Sequence, residues 1–347
     1  MPVVTTYGDI SPAVAAYSVV RMLKRGMPYL QIEKFGQSYP IPTNSTQTAK
    51  FRRYFLVGAT GAAGSGSGAF NVPVAITPLV EGVTPSGSKL ANQDYTATLA
   101  QYGDYVTITD VVMDTHTDPI LAQATEILGE SAALTVETLR FNVLKAGTNV
   151  FYGNSVAGRT DVITSITLAD QRRVTTALNR QNAKKITTVV ASNADYNTKS
   201  VEAAYVGLTH PDMETNIRSM SGFKPVSDYG THTTPWEGEI GSVEQVRYLT
   251  STVFAPWTDA GGAVGATGLR STGGTSIDVY PVIYFARDAF GIVPLKGKSS
   301  ITPMVVNPKP AAGDPLGQRG TVGWKLYTTT VILQDAWMAR LEVGASA

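Results

Sequence analysis

From Asp118 to Gly147 (DPILAQATEILGESAALTVETLRFNVLKAG) apolar residues recur every three or four positions without an interrupting proline. Asp118 is a good N-cap, Pro119 fits the first turn, Lys145 suits the C-terminal dipole and Gly147 can close the helix. The pattern predicts a helix over 118–146, roughly 40 Å long against ~17 Å for an average one. Ile120, Ala124, Leu128, Ala132, Thr135, Leu139 and Val143 form one stripe, flanked by a second of Ile127, Leu134 and Phe141. Glu126, Glu130 and Glu137 fall opposite the first stripe, as a charged edge expected to face water or a neighbouring subunit. Two readings are open here: a long core helix, or a spine on which extended segments hang.

Ahead of the helix the period changes to two. In KFRRYFLV, Lys50 and Arg52 alternate with Phe51, Phe55 and Val57, and TATLAQYGDYVTITDVV reads as the return strand, with Gly103 as a bulge. Between them lie GATGAAGSGSGAF (Gly58 to Phe70) and VPVAITPLVEGVTPSGS, about 38 residues with no helical period. A hairpin this long and weakly apolar needs flanking partners. Residues 1–50 read as an arm. Ser11 and Pro12 open a short helix carrying Ala13, Ala16, Tyr17, Val20 and Leu23, which Gly26 and Pro28 stop. In YLQIEKFGQSYPIPTNST, Pro40 and Pro42 then force an extended, helix-free path.

After the helix, Thr167 with Asp170 forms a capping-box variant ahead of Val174, Ala177 and Leu178. KKITTVVAS (184–192) and AAYVGLTH (203–210) are predicted strands, and Pro211 opens a short helix. The stretch 225–274 is loop-heavy, interrupted by VEQVRYLTSTVF (243–254), and IDVYPVIYFARDAFGIVPL (277–295) is strand-like again. This block reads as an inserted α+β lobe. WKLYTTTVILQDAWMARLEV (324–343) is a long apolar strand pair, or one bent strand, expected to close the sheet under the long helix.

Composition narrows the picture. The 347 residues are 43% hydrophobic and only 16% charged, with 16 tyrosines and 33 glycines. So low a charge fraction suits a surface buried against partners. Formal charge is +1, no footprint for tight nucleic-acid binding. The absence of cysteine removes disulfides, thiolate catalysis and zinc–thiolate sites. With neither an apolar window long enough for a membrane helix nor a secretory signal, the expectation is a soluble chain made in a cytosol.

No site for chemistry emerges. TGAAGSGSG lacks the Gly-Lys-Ser/Thr ending of a phosphate loop, and no helix opens after it. Gly64-Ser65-Gly66-Ser67-Gly68 has the letters of a nucleophile elbow in the wrong context. His116, His210 and His232 are scattered without ligand spacing, and Asp104, Asp110 and Asp114 on a strand do not converge. Neither a catalytic residue, a cofactor nor a metal is expected. Arg52 and Arg53 are too small a basic patch for nucleic acid and read better as an intersubunit pair.

Arm, long loop, long helix, inserted lobe and returning strand together resemble the major capsid proteins of tailed phages with the Hong Kong 97 fold. TYGDISPAVAAY, LQIEKFGQSYPIP, KFRRY (50–54), PLVEGVTPSG (78–87), LAQYGDYVTITD (99–110), VYPVIYFARDAFGIVPLKG (279–297) and DPLGQRGTVGWK (314–325) are similar to the N-four-like, podovirus-type family of these proteins. The Gly/Ser run at 61–68 looks like an insertion that the family does not need. The resemblance implies an N-arm over 1–49 and an extended loop over 50–105. It implies a peripheral domain over 106–160 and 305–347 carrying the spine helix, and an axial domain over 161–304. It further implies hexamers and pentamers of this chain in an icosahedral virion shell, assembled in the host cytoplasm as a procapsid that expands. Packaged double-stranded DNA would touch the shell without sequence readout, and scaffolding, portal and decoration proteins are implied partners; no membrane is. Arg52, Arg53 and Glu81 are candidate intersubunit ion-pair residues, joined by the Glu126, Glu130 and Glu137 edge. Asp314, Gln318 and Arg319 are expected to fix a tight turn where the C-terminal strands re-enter. The alternatives are a nanocompartment shell of the same fold or a phage decoration protein.

Overall fold

The computed structural model describes residues 30–54, 78–84, 92–111, 120–186, 203–228, 236–265, 267–295, 301–310 and 314–347. The expected N-terminal helix, the Gly/Ser run, His116, His232, Asp114, the Asp118–Pro119 helix start and the strand beyond Ile186 lie outside these residues.

In chain order the described strands are β1 (Gln37–Ser38), β2 (Thr48–Tyr54), β3 (Asn92–Thr98) and β4 (Ala100–Thr109). Next come helix α1 (Ile120–Lys145), β5 (Val150–Tyr152), α2 (Leu168–Arg180), β6 (Tyr205–Thr209), α3 (Glu214–Arg218) and β7 (Phe223–Pro225). The chain continues through β8 (Glu239–Val243), β9 (Val246–Thr250), β10 (Val279–Phe285), β11 (Phe290–Pro294) and β12 (Thr302–Val306) to β13 (Arg319–Ile332) and β14 (Met338–Gly344). They form a five-stranded sheet, β1-β11-β13-β12 with β4 on the other edge of β13, and a seven-stranded sheet, β5-β14-β10-β6-β9-β8-β7; the β2–β3 hairpin stands apart.

α1 bridges the two sheets. Its N-terminal half places Leu128, Ala132 and Val136 on Ile108, Val322, Trp324 and Leu326 of the five-stranded sheet. Its C-terminal half places Phe141 and Leu144 against Leu208, Ile283 and Phe285 of the seven-stranded sheet. Each step of four residues turns ~40° about a helix axis, so the buried line Leu128, Ala132, Val136, Arg140, Leu144 winds around α1 as its partner changes. This corrects the predicted stripes. Ile120 and Ala124 do pack on the first core, but Leu139 and Val143 are only half-buried, and Ile127 and Leu134 of the second stripe face outward.

The seven-stranded sheet is covered on both faces, so β10 is buried throughout rather than alternating. Tyr280, Val282 and Tyr284 face α2 and α3, while Ile283 and Phe285 face α1 and the arm. Thr167 caps α2 as expected, its hydroxyl oxygen accepting from the Asp170 N–H at 3.2 Å. Pro211 opens a 3-10 turn leading into α3, also as expected.

Three connections differ from the sequence reading. The partner of KFRRY is Asn92–Thr98; the chain breaks at Leu99, and β4 leaves to pair with β13 over ten residues. Gly103 is no bulge, because the β4–β13 register runs through it unshifted; a Cβ there would lie 2.7 Å from the Trp324 carbonyl oxygen. The third concerns the C-terminal strand pair. β13 does pack under α1, but β14 crosses into the seven-stranded sheet, and β10 and β11 make the same crossing beside them in the opposite direction. Phe290–Pro294 pairs with Thr328–Ile332 and Val279–Phe285 with Met338–Gly344, so β10–β11 and β13–β14 make one bent antiparallel ribbon. At its corner the N–H groups of Leu333 and Gln334 both donate to the Ala289 carbonyl, which accommodates one extra residue on the outer strand. β5 and β14 therefore share a sheet with β6–β10, and β11 and β12 share one with β4 and β13.

The arm too is partly reassigned. Ile32–Lys34 is a 3-10 turn, a helical element where none was expected, lying ahead of the two prolines that exclude one. Ile32 and Ile41 are buried in the chain's own cores, and β1 pairs in parallel with β11.

Candidate subunit-interface residues

Among the described residues no His, Asp and Glu cluster could hold a metal, and no helix is long and apolar enough to cross a membrane. His210 is accounted for structurally: its Nδ1 accepts the Asp212 N–H at 3.2 Å at the start of the 3-10 turn, and burial lowers its pKa. Asp212 in turn accepts from Tyr280 at 2.7 Å and pairs with Arg270 at 2.9 Å.

The candidate interface residues fall into three groups. The first is tied up within its own chain. Arg52 makes a two-pronged pair with Asp94 directly across the β2–β3 hairpin, at 2.7 and 2.8 Å, and this contact lowers the Asp94 pKa. Arg53 lies over the Trp337 ring at 5.7 Å, and burial lowers its pKa. Asp314 builds the expected turn: its carbonyl accepts from Gly317, which adopts φ +67°, and its Oδ2 accepts the Arg319 N–H at 2.8 Å. Gln318 closes it by accepting from Asp110.

Glu137 overturns the expected charged edge. It is wholly buried, because residues 31–34 of the arm cross α1 at its level, and its Oε1 accepts the N–H groups of Gln31 and Ile32 at 2.9 and 2.8 Å. Burial raises its pKa to about 7. Glu126 and Glu130 remain half-exposed on the same edge.

The third group is exposed and apolar. On α1, Ile127 and Leu134 with Glu130, Ser131, Thr135 and Thr138 line a shallow groove of about 470 Å³. On the outer face of the five-stranded sheet, Tyr105 of β4 and Met304 of β12 stand either side of Gly323 on β13 and are 68% and 52% exposed. Glu81 sits in a turn closed by the Val83 N–H donating to Val80, with Gly82 at φ +79°. Leu79, Val80 and Val83 beside it are more than 60% exposed. Large exposed apolar patches are the kind of surface that partners cover.

Sequence spacing could not find one further group. Glu342 of β14 is fully buried and accepts from Arg159 at 2.6 and 2.9 Å and from Arg340 at 2.8 Å. The Arg159 guanidinium and the Lys145 ammonium lie over the Trp257 ring at 3.7 and 3.9 Å. Arg340 also donates to the carbonyls of Lys145 and Gly147, satisfying the C-terminal end of α1. Of these five side chains only Arg340 and Glu342 are close in sequence; Lys145, Arg159 and Trp257 come from other parts of the chain, so no local signal announces the cluster.

Known proteins similar to this chain supply an independent comparison. A profile of the family described as phage capsid protein matches residues 93–341, well over half the chain. The chain belongs to the phage capsid protein family. This is a structural family, not an enzyme class. The major capsid protein of Pseudomonas phage KPP21 is 21% identical over 266 residues, 71% of this chain and 66%, just under two thirds, of that relative. The capsid of Ralstonia phage GP4 superposes with a TM-score of 0.62 at 13% identity, covering 90% of this chain and 87% of that one. The holo-SrpI encapsulin complex from Synechococcus elongatus PCC 7942 superposes with a TM-score of 0.51 at 10% identity, covering 99% and 92%. At these identities the superpositions establish the fold. It is α+β, of the Hong Kong 97 capsid type.

Proposed function

We propose that this phage capsid protein is the major capsid protein of a tailed phage of the N-four-like group. In this reading it forms hexamers and pentamers that close into an icosahedral head around double-stranded DNA. The family match over 93–341 carries the proposal. The three exposed apolar patches supply its physical basis, since such surfaces gain stability by lying on neighbouring copies. Residues 1–49 act as an arm and 50–105 as the extended loop. The spine helix region with the C-terminal strands forms the periphery, and 161–304 the axial lobe. Contact with DNA is non-specific, in keeping with a formal charge of +1. Portal, scaffolding and decoration proteins are the further partners, met in the host cytoplasm before the shell becomes part of the virion.

Size-exclusion chromatography and negative-stain microscopy of the expressed chain test this: capsomers or megadalton shells are expected, and an inert 36.8 kDa monomer at high concentration would sink it. A nanocompartment shell is the second reading, favoured by the encapsulin superposition. Particles purified from cells and carrying one defined cargo protein instead of nucleic acid would favour it over the phage head.

A further inference from the structure

The arm is clasped to the spine by an unusual carboxylate. Glu137 Oε1 receives two backbone N–H groups from Gln31 and Ile32, while its Oε2 is buried without a hydrogen-bond partner among the described residues. Arg140, one turn along, is itself buried, and its Nη1 donates to Glu33 of the arm at 3.0 Å. The surroundings supply little other charge. From the arm come Glu33 and Lys34, whose ammonium donates to the Gln31 side chain at 3.2 Å. The 236–239 loop packs on Gln31 through Gly238; its Glu237 is exposed and its Glu239 pairs with Arg247 at 2.9 Å. β10 and β11 contribute only Ile283, Phe285, Phe290 and Ile292 to the core around Ile32.

We infer that Glu137 is a proton-dependent latch, which holds residues 30–34 of the arm on the spine helix when neutral and loosens them when ionised. A neutral carboxyl accepts both N–H groups through one oxygen and buries no charge. An ionised one carries a full charge into a site where two amides and Arg140, whose Nη1 pairs with Glu33 and whose buried Nε lacks a hydrogen-bond partner among the described residues, offset it incompletely. Lifting the 3-10 turn away lets water reach the carboxylate. Burial moves Glu137 from 4.5 up to about 7. An acid raised in the closed state favours closure fully below its free value and loses that advantage as pH rises through the closed-state value. With these two values the opening equilibrium increases about tenfold between pH 6 and pH 8.5. The latch is a property of one chain and holds whether or not copies assemble into shells.

Hydrogen–deuterium exchange of the full-length protein, read on peptides spanning 30–35 and corrected for intrinsic exchange, tests this at pH 6, 7 and 8.5. Protection of this segment is expected to fall about tenfold across the range. Glu137→Gln, which keeps the acceptor and cannot ionise, is expected to abolish the pH dependence. Glu33→Gln, which leaves the latch intact, is expected to retain it. Flat protection in the wild type, an unchanged slope in Glu137→Gln, or a slope lost in Glu33→Gln would each overturn the inference. If Glu137→Gln does not fold, the wild-type and Glu33→Gln profiles still decide.

Discussion

Replacing Glu342 by glutamine removes the single anion from a site where Arg159, Arg340 and Lys145 converge on Trp257. The carboxylate makes three charge-assisted hydrogen bonds from a position with no exposed surface. Breaking a buried ion pair by removing one partner costs about 3–5 kcal/mol. Here the lower end applies, because the Arg159 side chain is 32% exposed and can turn to water, and glutamine preserves the shape. We predict a loss of about 3 kcal/mol at pH 7. The pH dependence identifies the cause. Burial, with Arg159 and Arg340 acting alongside, lowers Lys145 from 10.5 to about 8, while Glu342 works to raise it. Between those values the unfolded chain binds the extra proton, so stability gains as pH rises and Lys145 becomes neutral in the fold. By pH 9 Lys145 is largely uncharged in both proteins and its attraction to Glu342 no longer separates them. The deficit should therefore narrow from pH 7 to pH 9. Guanidinium unfolding of wild type and variant, followed by tryptophan fluorescence at both values, measures it. A deficit below ~1 kcal/mol, or one that widens at pH 9, would refute this account of the site.

Leu128→Asp is predicted to yield no assembled protein, because it sets an unpaired charge, costing several kcal/mol, against Trp324 in the core beneath the spine; normal particles by electron microscopy would contradict that. Gly103→Ala should cost about 1–3 kcal/mol, since the new methyl meets the Trp324 backbone carbonyl of the neighbouring β13; an unchanged melting temperature would show that the strands part freely. Arg52→Ala should leave melting unaltered, its pairing with Asp94 being exposed on the hairpin. Lost particle formation by such a normally folded variant, scored by sedimentation, would assign Arg52 a contact with another copy.

What the sequence made legible was local. The Thr167–Asp170 cap, the Asp314 turn and the body of the spine helix each depend on residues within a few positions of one another, and each appears in place. The errors come from contacts between distant segments. Glu137 resembles a solvent-facing glutamate by helical phase, yet a segment 106 residues earlier covers it. The stripe through Leu139 and Val143 assumed one partner for the whole helix, whereas α1 passes from one sheet to another and its buried line winds accordingly. Strand character was evident at 277–295 and 324–343, but periodicity is blind to which sheet a strand enters, and both segments change sheets midway. The Glu342 cluster was invisible for the same reason, with Arg159 lying 183 residues from its partner.

The bent ribbon of β10–β11 and β13–β14 has a mechanical meaning. Tension between the two sheets along these strands loads their cross-strand hydrogen bonds side by side, so that they fail together. The ten-residue pairing of β4 with β13 extends the same geometry toward the β2–β3 hairpin. A pull on β4 along its strand is thus met in shear and not by peeling bonds one at a time. Where the sheets do yield, the compliant place is the corner at Ala289 and Leu333, the one point where the ladder is irregular.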